Sequence, residues 1–294
     1  MLENGAESDA SDPVRETIQR KERALRDALG RMQSTLVAYS GGVDSSYLLC
    51  VARQVLGDNV TTMTVESAVC PRHELEAARE YAKRIGARHE VIPVDLLADE
   101  TFRANPADRC YTCKGIIFRR LLEEAKRRGI RHVIDGTNAD DASDYRPGRR
   151  ALDELGIRSP LAESGLTKAE IRGLARGAGI PGWDTPAAAC LASRIPYGTP
   201  VDEDTLRRID ALETSLRSLG FRQVRARHHG DVARIELAPE DIQAASSEST
   251  RDAILRAAKE AGYTYAAVDL QGYRTGSLNE TLDDDARGPD RAGK

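Results

Sequence analysis

Residues 36–50 read LVAYSGGVDSSYLLC: an apolar run, a glycine pair, an aspartate among small residues, and a second apolar run. The pattern predicts a short strand over 34–40 that runs into a glycine turn, followed by a helix over 46–56. A helix start leaves backbone N–H groups without partners, and glycines ahead of it let the main chain close round phosphate oxygens. Ser40, Ser45 and Ser46 offer hydroxyl donors, and Gly41 and Gly42 supply permissive dihedrals. Asp44 suits a magnesium ion between phosphates better than it suits a phosphate itself. The stretch therefore reads as a site for pyrophosphate and its metal, the alternative being a glycine-rich turn with no ligand. It lacks both the GKS or GKT ending of a Walker loop and the spaced glycines of the dinucleotide fingerprint.

Working outward, a helix is expected from Pro13 to Leu29, and strands over 59–67, 89–95 and 131–138. Between the strands, a helix carries Leu75, Ala78, Ala82 and Ile85 at helical spacing, and a charged helix runs from about Lys114 to Arg128. In LTKAEIRGLARGAGI (166–180), Thr167 and Glu170 stand at capping-box distance. Alternating strands and helices build a parallel sheet, whose ligands gather at the carboxyl ends of its strands. SGGVDSS, ESAVCP and DGTNADD all fall at such ends. Proline and glycine interrupt the pattern at 196–204. A helix over 203–219, strands over 221–229 and 232–239, a helix over 250–261 and a strand over 264–270 follow, making a small α+β module. The expected organisation is a disordered start (1–12), a parallel-sheet domain (13–198), an α+β module for substrate and oligomer contacts (199–279) and a polar tail (280–294).

The 294 residues are 40% hydrophobic with a formal net charge of −4, which fits a soluble globular protein rather than a nonspecific nucleic-acid binder. Aromatic residues make up 4% of the chain, so no interleaved basic and aromatic RNA surface is visible. The acidic start reads as neither a signal peptide nor a basic arm, and no stretch reaches the length of a membrane span. A cytoplasmic location is expected, where clustered cysteines bind metal or react rather than form disulfides.

Five cysteines divide unevenly. Cys50 reads as a core residue, and Cys70 as a loop thiol without an assigned role. Cys110 and Cys113, in RCYTCK, are a redox pair, half of a metal site or two unrelated thiols. Arg225 and Arg227 alternate on a strand and share one face, an arrangement suited to phosphate or carboxylate. Glu213, on the preceding helix, is a candidate metal ligand or a partner for these arginines. His228 and His229 point apart as strand neighbours, and Trp183 reads as a packing anchor. Asp135, Gly136, Thr137, Asn138, Asp140 and Asp141 form a turn of the Asn/Asp/Gly kind at a strand end.

SGGVDSS closely resembles the SGGxDS motif of the PP-loop ATP pyrophosphatases. The runs DGTNADDASDYRPGRRALDELGIRSPL (135–161), PAAACLASRIPYGTPV (186–201) and VDLQGYRTGSLNE (268–280) resemble the LarE family of ATP-dependent sulfur transferases, over about residues 15–280. The resemblance implies an α/β, adenine nucleotide alpha hydrolase-like fold, with ATP and Mg2+ as cofactors. It implies adenylation of the carboxylates of pyridinium-3,5-biscarboxylic acid mononucleotide and their conversion to thiocarboxylates for a nickel-pincer nucleotide. By motif Cys190 is the active-site cysteine, and with Cys110 and Cys113 the chain looks like a three-cysteine branch that holds a [4Fe-4S] cluster. The alternatives are stoichiometric sacrifice of the Cys190 sulfur, structural zinc, and other PP-loop reactions such as tRNA thiolation or amidation. The same resemblance assigns Gly136 and Thr137 to the nucleotide, Asp140 and Asp144 to magnesium or substrate, and Arg225 and Arg227 to the substrate phosphate. Arg146 and Arg194 are assigned to anionic substrate. It also implies a trimer or hexamer and an external sulfur donor, with no nucleic-acid or membrane partner.

Overall fold

The computed structural model describes residues 13–142, 147–185, 190–274 and 277–278. Asp144 and Arg146 lie outside the described residues.

A four-stranded parallel sheet is built from β1 (Thr35–Ala38), β2 (Val60–Glu66), β3 (His89–Pro93) and β4 (His132–Ile134), in the order β3-β2-β1-β4. Successive strand residues point to opposite faces, so both faces need cover. Val37 and Ile134 enter one apolar layer with α1 (Pro13–Met32), α2 (Val43–Leu56) and α3 (Arg72–Ile85), through Leu25, Leu29, Leu48, Ala78 and Ala82. Leu36, Met63 and Val133 enter the other, against Phe118 and Leu121 of α4 (Arg109–Arg127) and Leu152 of α5 (Pro147–Glu154). This is the α/β parallel-sheet architecture expected.

Helix α4 begins five residues before the expected Lys114, so Cys110 and Cys113 sit on its first two turns. Tertiary contacts stabilise that extension. Arg109 is buried, donates to Asn105 Oδ1 and lies 5.5 Å from the Tyr197 ring, while Asn105 Nδ2 donates to the Pro196 and Thr199 carbonyls at 2.8 Å each. The start of α4 is thus tied to the loop that follows Cys190.

Helix α6 (Lys168–Gly177) carries the full capping box, Thr167 Oγ1 accepting from Glu170 N and Glu170 Oε2 from Thr167 N. Helix α7 (Glu203–Ser218) joins the two halves of the chain. Its Leu206 and Ile209 pack with Val69, Phe102, Leu191 and Ile195, and its Leu212 and Leu216 pack beneath a second sheet. That sheet has the order β5-β6-β7, from β5 (Val224–His229), β6 (Val232–Leu237) and β7 (Tyr265–Val268), with α8 (Glu248–Glu260) packed on it. β5 and β6 are antiparallel, β6 and β7 parallel.

Candidate active site

The β1–α2 turn and the loop after β4 meet back to back. Gly41 has φ +78°, and a Cβ there would lie 2.8 Å from the Ala78 Cβ, so only glycine lets the turn press against α3. A Cβ on Gly136 would lie 2.8 Å from the Ser45 backbone N. Both glycines are required by close approach.

The serines divide by depth. Ser40 is exposed and shares a hydroxyl contact of 3.1 Å with Ser45, whose Oγ donates to the Gly42 carbonyl at 3.0 Å. Ser46 is fully buried, its hydroxyl 3.1 Å from the Tyr39 hydroxyl. The expectation of a phosphate donor at Ser46 is therefore corrected. As the fourth residue of α2 it turns into the core, and Ser40, Gly41 and Gly42 form the accessible rim.

Asp44 lies behind that rim. Its Oδ2 receives Lys168 Nζ and, at 3.5 Å, Asn138 Nδ2. Its Oδ1 is buried with no hydrogen-bond partner among the described residues. Burial raises the Asp44 carboxyl above its ordinary range against the opposing pull of Lys168, and the charge of Asp141 adds to the rise. An orphaned carboxylate oxygen beside a glycine-lined helix start fits a hard divalent cation. Thr137 contacts Asp135 rather than facing outward, its Oγ1 donating to Asp135 Oδ2 at 2.6 Å. Asp140 is exposed, and its Oδ2 accepts from Lys168 N at 2.7 Å. Lys168 was missed by the sequence reading. Its signal was a lysine at the first position of a helix, where the helix dipole disfavours a cation.

Four thiols gather round the loop after β2. Leu191 N donates to the Val69 carbonyl at 2.8 Å, which ties the Cys190 loop to the Cys70 loop after β2, and Cys113 and Cys190 pack against one apolar cluster. Burial pushes the Cys113 thiol up to about 12, with Cys190, Cys110 and Cys70 adding to the rise. Burial also raises Cys70, with a further contribution from Cys190. Cys110 is exposed, yet enough protein surrounds its thiol that desolvation, followed by Cys190, raises it too. Four cysteines from three segments therefore feel one another, and Cys70 is the member that sequence spacing did not reveal. Cys50 stands apart on α2, half-buried, accepting from Gln54 at 3.6 Å. Among the described residues, no three His, Cys, Asp or Glu side chains converge on a single metal ion.

Arginines hold the Cys190 loop from below. Arg194, 1% exposed, grips Glu213 with Nε at 2.8 Å and a terminal nitrogen at 2.9 Å, while its other terminal nitrogen donates to the Cys190 carbonyl at 3.2 Å. Its nitrogens go to Glu213, the Cys190 carbonyl and the Ser193 hydroxyl, rather than facing the anionic substrate expected for it. Glu213 is corrected in the same way. Arg194 twice, Arg217 at 3.0 Å and Ala226 N at 3.0 Å fill its four lone-pair sites, which leaves none for a metal. Arg227 is bound to Glu236 through two nitrogens and donates to the Ser193 carbonyl at 2.7 Å, so it ties strand to loop instead of awaiting phosphate. Arg225 is on the same strand face, 5.1 Å from the Tyr273 ring. His228 and His229 do point apart, His228 toward Tyr263 and His229 toward Arg234.

The first turn of α3 faces these arginines. Burial pushes Glu74 up to about 7 despite Arg194, Arg225 and Arg217, and lowers His73 to about 4. A carboxyl raised on folding keeps its proton in the native state. The associated stability is complete below the ordinary 4.5 and is lost as pH rises through about 7. Glu74→Gln is therefore expected to be the more stable protein above pH 7, by roughly 1–3 kcal/mol, and equal to the parent near pH 4. Urea denaturation across that range checks it, and a constant difference would refute it.

An asparagine synthase family model matches residues 21–153. An uncharacterized protein of Synechocystis sp. is 41% identical over 265 residues, covering 90% of this chain and 99% of the relative. The pyridinium-3,5-bisthiocarboxylic acid mononucleotide synthase of Lactiplantibacillus plantarum is 38% identical over 267 residues, covering 90% and 96%. This chain belongs to that synthase family, within the PP-loop ATP pyrophosphatases. A more distant relative, the NH(3)-dependent NAD(+) synthetase of Chlorobaculum parvum, is 28% identical over 155 residues, covering 51% of this chain and 54% of the relative. That shorter match lies within the wider superfamily, whereas the synthase-family matches extend through the cysteines and the second sheet.

Proposed function

We propose that the protein is an ATP-dependent sulfur transferase acting on pyridinium-3,5-biscarboxylic acid mononucleotide, which would yield the bisthiocarboxylic acid mononucleotide that the Lactiplantibacillus plantarum relative is named for making. The observation that carries this reading is the placement of the thiol group and a nucleotide-type turn at the carboxyl end of the same parallel sheet, the turn following β1 and the Cys70 loop, to which the Cys190 loop is bonded, following the adjacent β2.

A substrate carboxylate oxygen attacks the α-phosphorus of ATP and pyrophosphate leaves, giving an acyl adenylate. A sulfur nucleophile then attacks the acyl carbon and AMP leaves with the activated oxygen. Ser40, Gly41, Gly42 and the start of α2 hold the phosphates, Asp44 holds magnesium through its orphaned oxygen, and Gly136 keeps the second loop close. Arg225, buried beside Arg194 and Arg217, whose charges add positive potential, receives the substrate phosphate. Residues 13–198 form the nucleotide domain, and residues 199–279 supply substrate and oligomer contacts.

Cys110, Cys113 and Cys190 would hold a [4Fe-4S] cluster. Such a cluster would supply sulfide-level sulfur, replenished by an external sulfur donor. Iron and acid-labile sulfide assays on protein purified without oxygen test this. Four irons per chain, lost in Cys110→Ala, are expected. Iron-free protein that still converts substrate would instead make Cys190 the sacrificed donor.

A further inference from the structure

Lys168 sits where its own helix disfavours it. As the first residue of α6 it lies at the positive end of the helix dipole. Its backbone is fixed from several directions: the capping box closes round Thr167 and Glu170, Glu170 is paired to Lys21 at 2.7 Å, and Lys168 N donates to Asp140 Oδ2 at 2.7 Å. Against that anchored backbone the four-carbon stem is the movable part. It crosses to Asp44, and the two side chains are 32% and 16% exposed.

The pairing presents a conflict. Asp44 has one oxygen given to an ammonium and the other buried without a partner among the described residues. A carboxylate that serves only as a structural ion-pair partner has no reason to strand its second oxygen, since a buried acceptor left unsatisfied is costly. A carboxylate that exchanges cations does have one.

We infer that Lys168 is the resident counter-ion of the nucleotide site: it neutralises Asp44 in the free enzyme, yields it to the divalent cation that arrives with ATP, and moves its ammonium onto the phosphate oxygens of the bound nucleotide. This rests on the reading of Asp44 as a metal-binding carboxylate and extends it. A divalent cation arriving alone must compete with the ammonium and gives it nothing in exchange. A metal–nucleotide complex brings phosphate oxygens as the new partner of the lysine, a compact charge suited to phosphate. Metal and nucleotide binding are therefore coupled through one side chain.

The consequence is a change of opposite sign in two affinities. With Mn2+ as the metal probe and α,β-methylene ATP as the uncleavable nucleotide, Lys168→Met is expected to bind Mn2+ alone about fivefold more tightly than the parent. It is expected to bind the Mn2+ complex of the nucleotide about tenfold more weakly. Lys168→Arg, which keeps the charge, should restore weak binding of the free metal, and thermal unfolding of each variant confirms that it is folded. A structural ion pair would not tighten metal binding when broken, so unchanged or weakened Mn2+ affinity in folded Lys168→Met overturns the inference. Asp44→Asn separates the two levels. If it leaves binding of the Mn2+–nucleotide complex intact, the metal reading of Asp44 fails, and the inference fails with it. If it removes metal dependence while Lys168→Met shows no opposed shift, the inference alone fails.

Discussion

Glu213→Ala is expected to destabilise the protein by about 3–5 kcal/mol, among the largest losses available to one side chain in this fold. The carboxylate is fully buried, and the four donors around it include two guanidinium nitrogens of an arginine that is itself 1% exposed. Its removal leaves the Arg194 charge in a dry interior beside Arg217 and Arg225, which repel it. Burial pushes the Glu213 carboxyl up, but its hydrogen bond and ion pair with Arg194 outweigh that and hold it below the ordinary value. A carboxyl lowered on folding contributes stability that is present above its unfolded value and lost as pH falls through the folded one. The difference between parent and variant should therefore shrink in acid. Denaturant titration at neutral and acid pH measures both, and a loss under 1 kcal/mol at neutral pH would show that the arginines relax to water.

The double variant Arg194→Met, Glu213→Leu separates stability from function. Replacing a buried ion pair by apolar residues of similar volume is often neutral for stability. The Cys190 carbonyl would still lose its guanidinium donor, and Arg217 and Ala226 N their acceptor, so stability should return in part while sulfur transfer stays depressed.

The sequence made the nucleotide side of the site legible and the thiol side only in part, for reasons that differ residue by residue. Gly41 and Gly42 announce themselves because a strand, a turn and a helix follow within a few positions, and the capping box at Thr167 is likewise a local pattern. Ser46 was misjudged because a motif states which residues stand near a turn but not their depth, and helical rotation sends this one to Tyr39. Glu213 and Arg227 looked like ligands because charged side chains are commonly exposed, and only the folded chain shows them spending their capacity on each other's neighbours. The early start of α4 depends on Asn105 and Tyr197, contacts that no local propensity records. Cys70 and Lys168 were hidden for the same reason, since each reaches the site from a segment remote from the residues it meets.

Cys190→Ser should abolish thiocarboxylate formation, by at least about a thousandfold, while leaving substrate-dependent exchange of pyrophosphate into ATP near the parent rate. In the proposed mechanism the two half-reactions fall to different parts of the site. There, adenylation draws on the Gly41–Gly42 turn, Asp44 and the loop at Gly136, whose glycine contacts are with Ala78 and Ser45 rather than with Cys190. The loop itself is held by backbone and arginine contacts through Leu191 N, the Cys190 carbonyl and the Ser193 carbonyl, all of which serine preserves. The substitution thus removes the sulfur without removing the scaffold. Asp44→Asn should show the reverse and lose exchange as well as product, since no acyl adenylate forms for any sulfur to attack. If Cys190→Ser keeps more than a tenth of parental product formation, the sulfur comes from another group and the assignment of Cys190 is wrong. If it loses exchange together with product, Cys190 acts before AMP is displaced, and the division of the site into an adenylating turn and a thiol cluster does not hold.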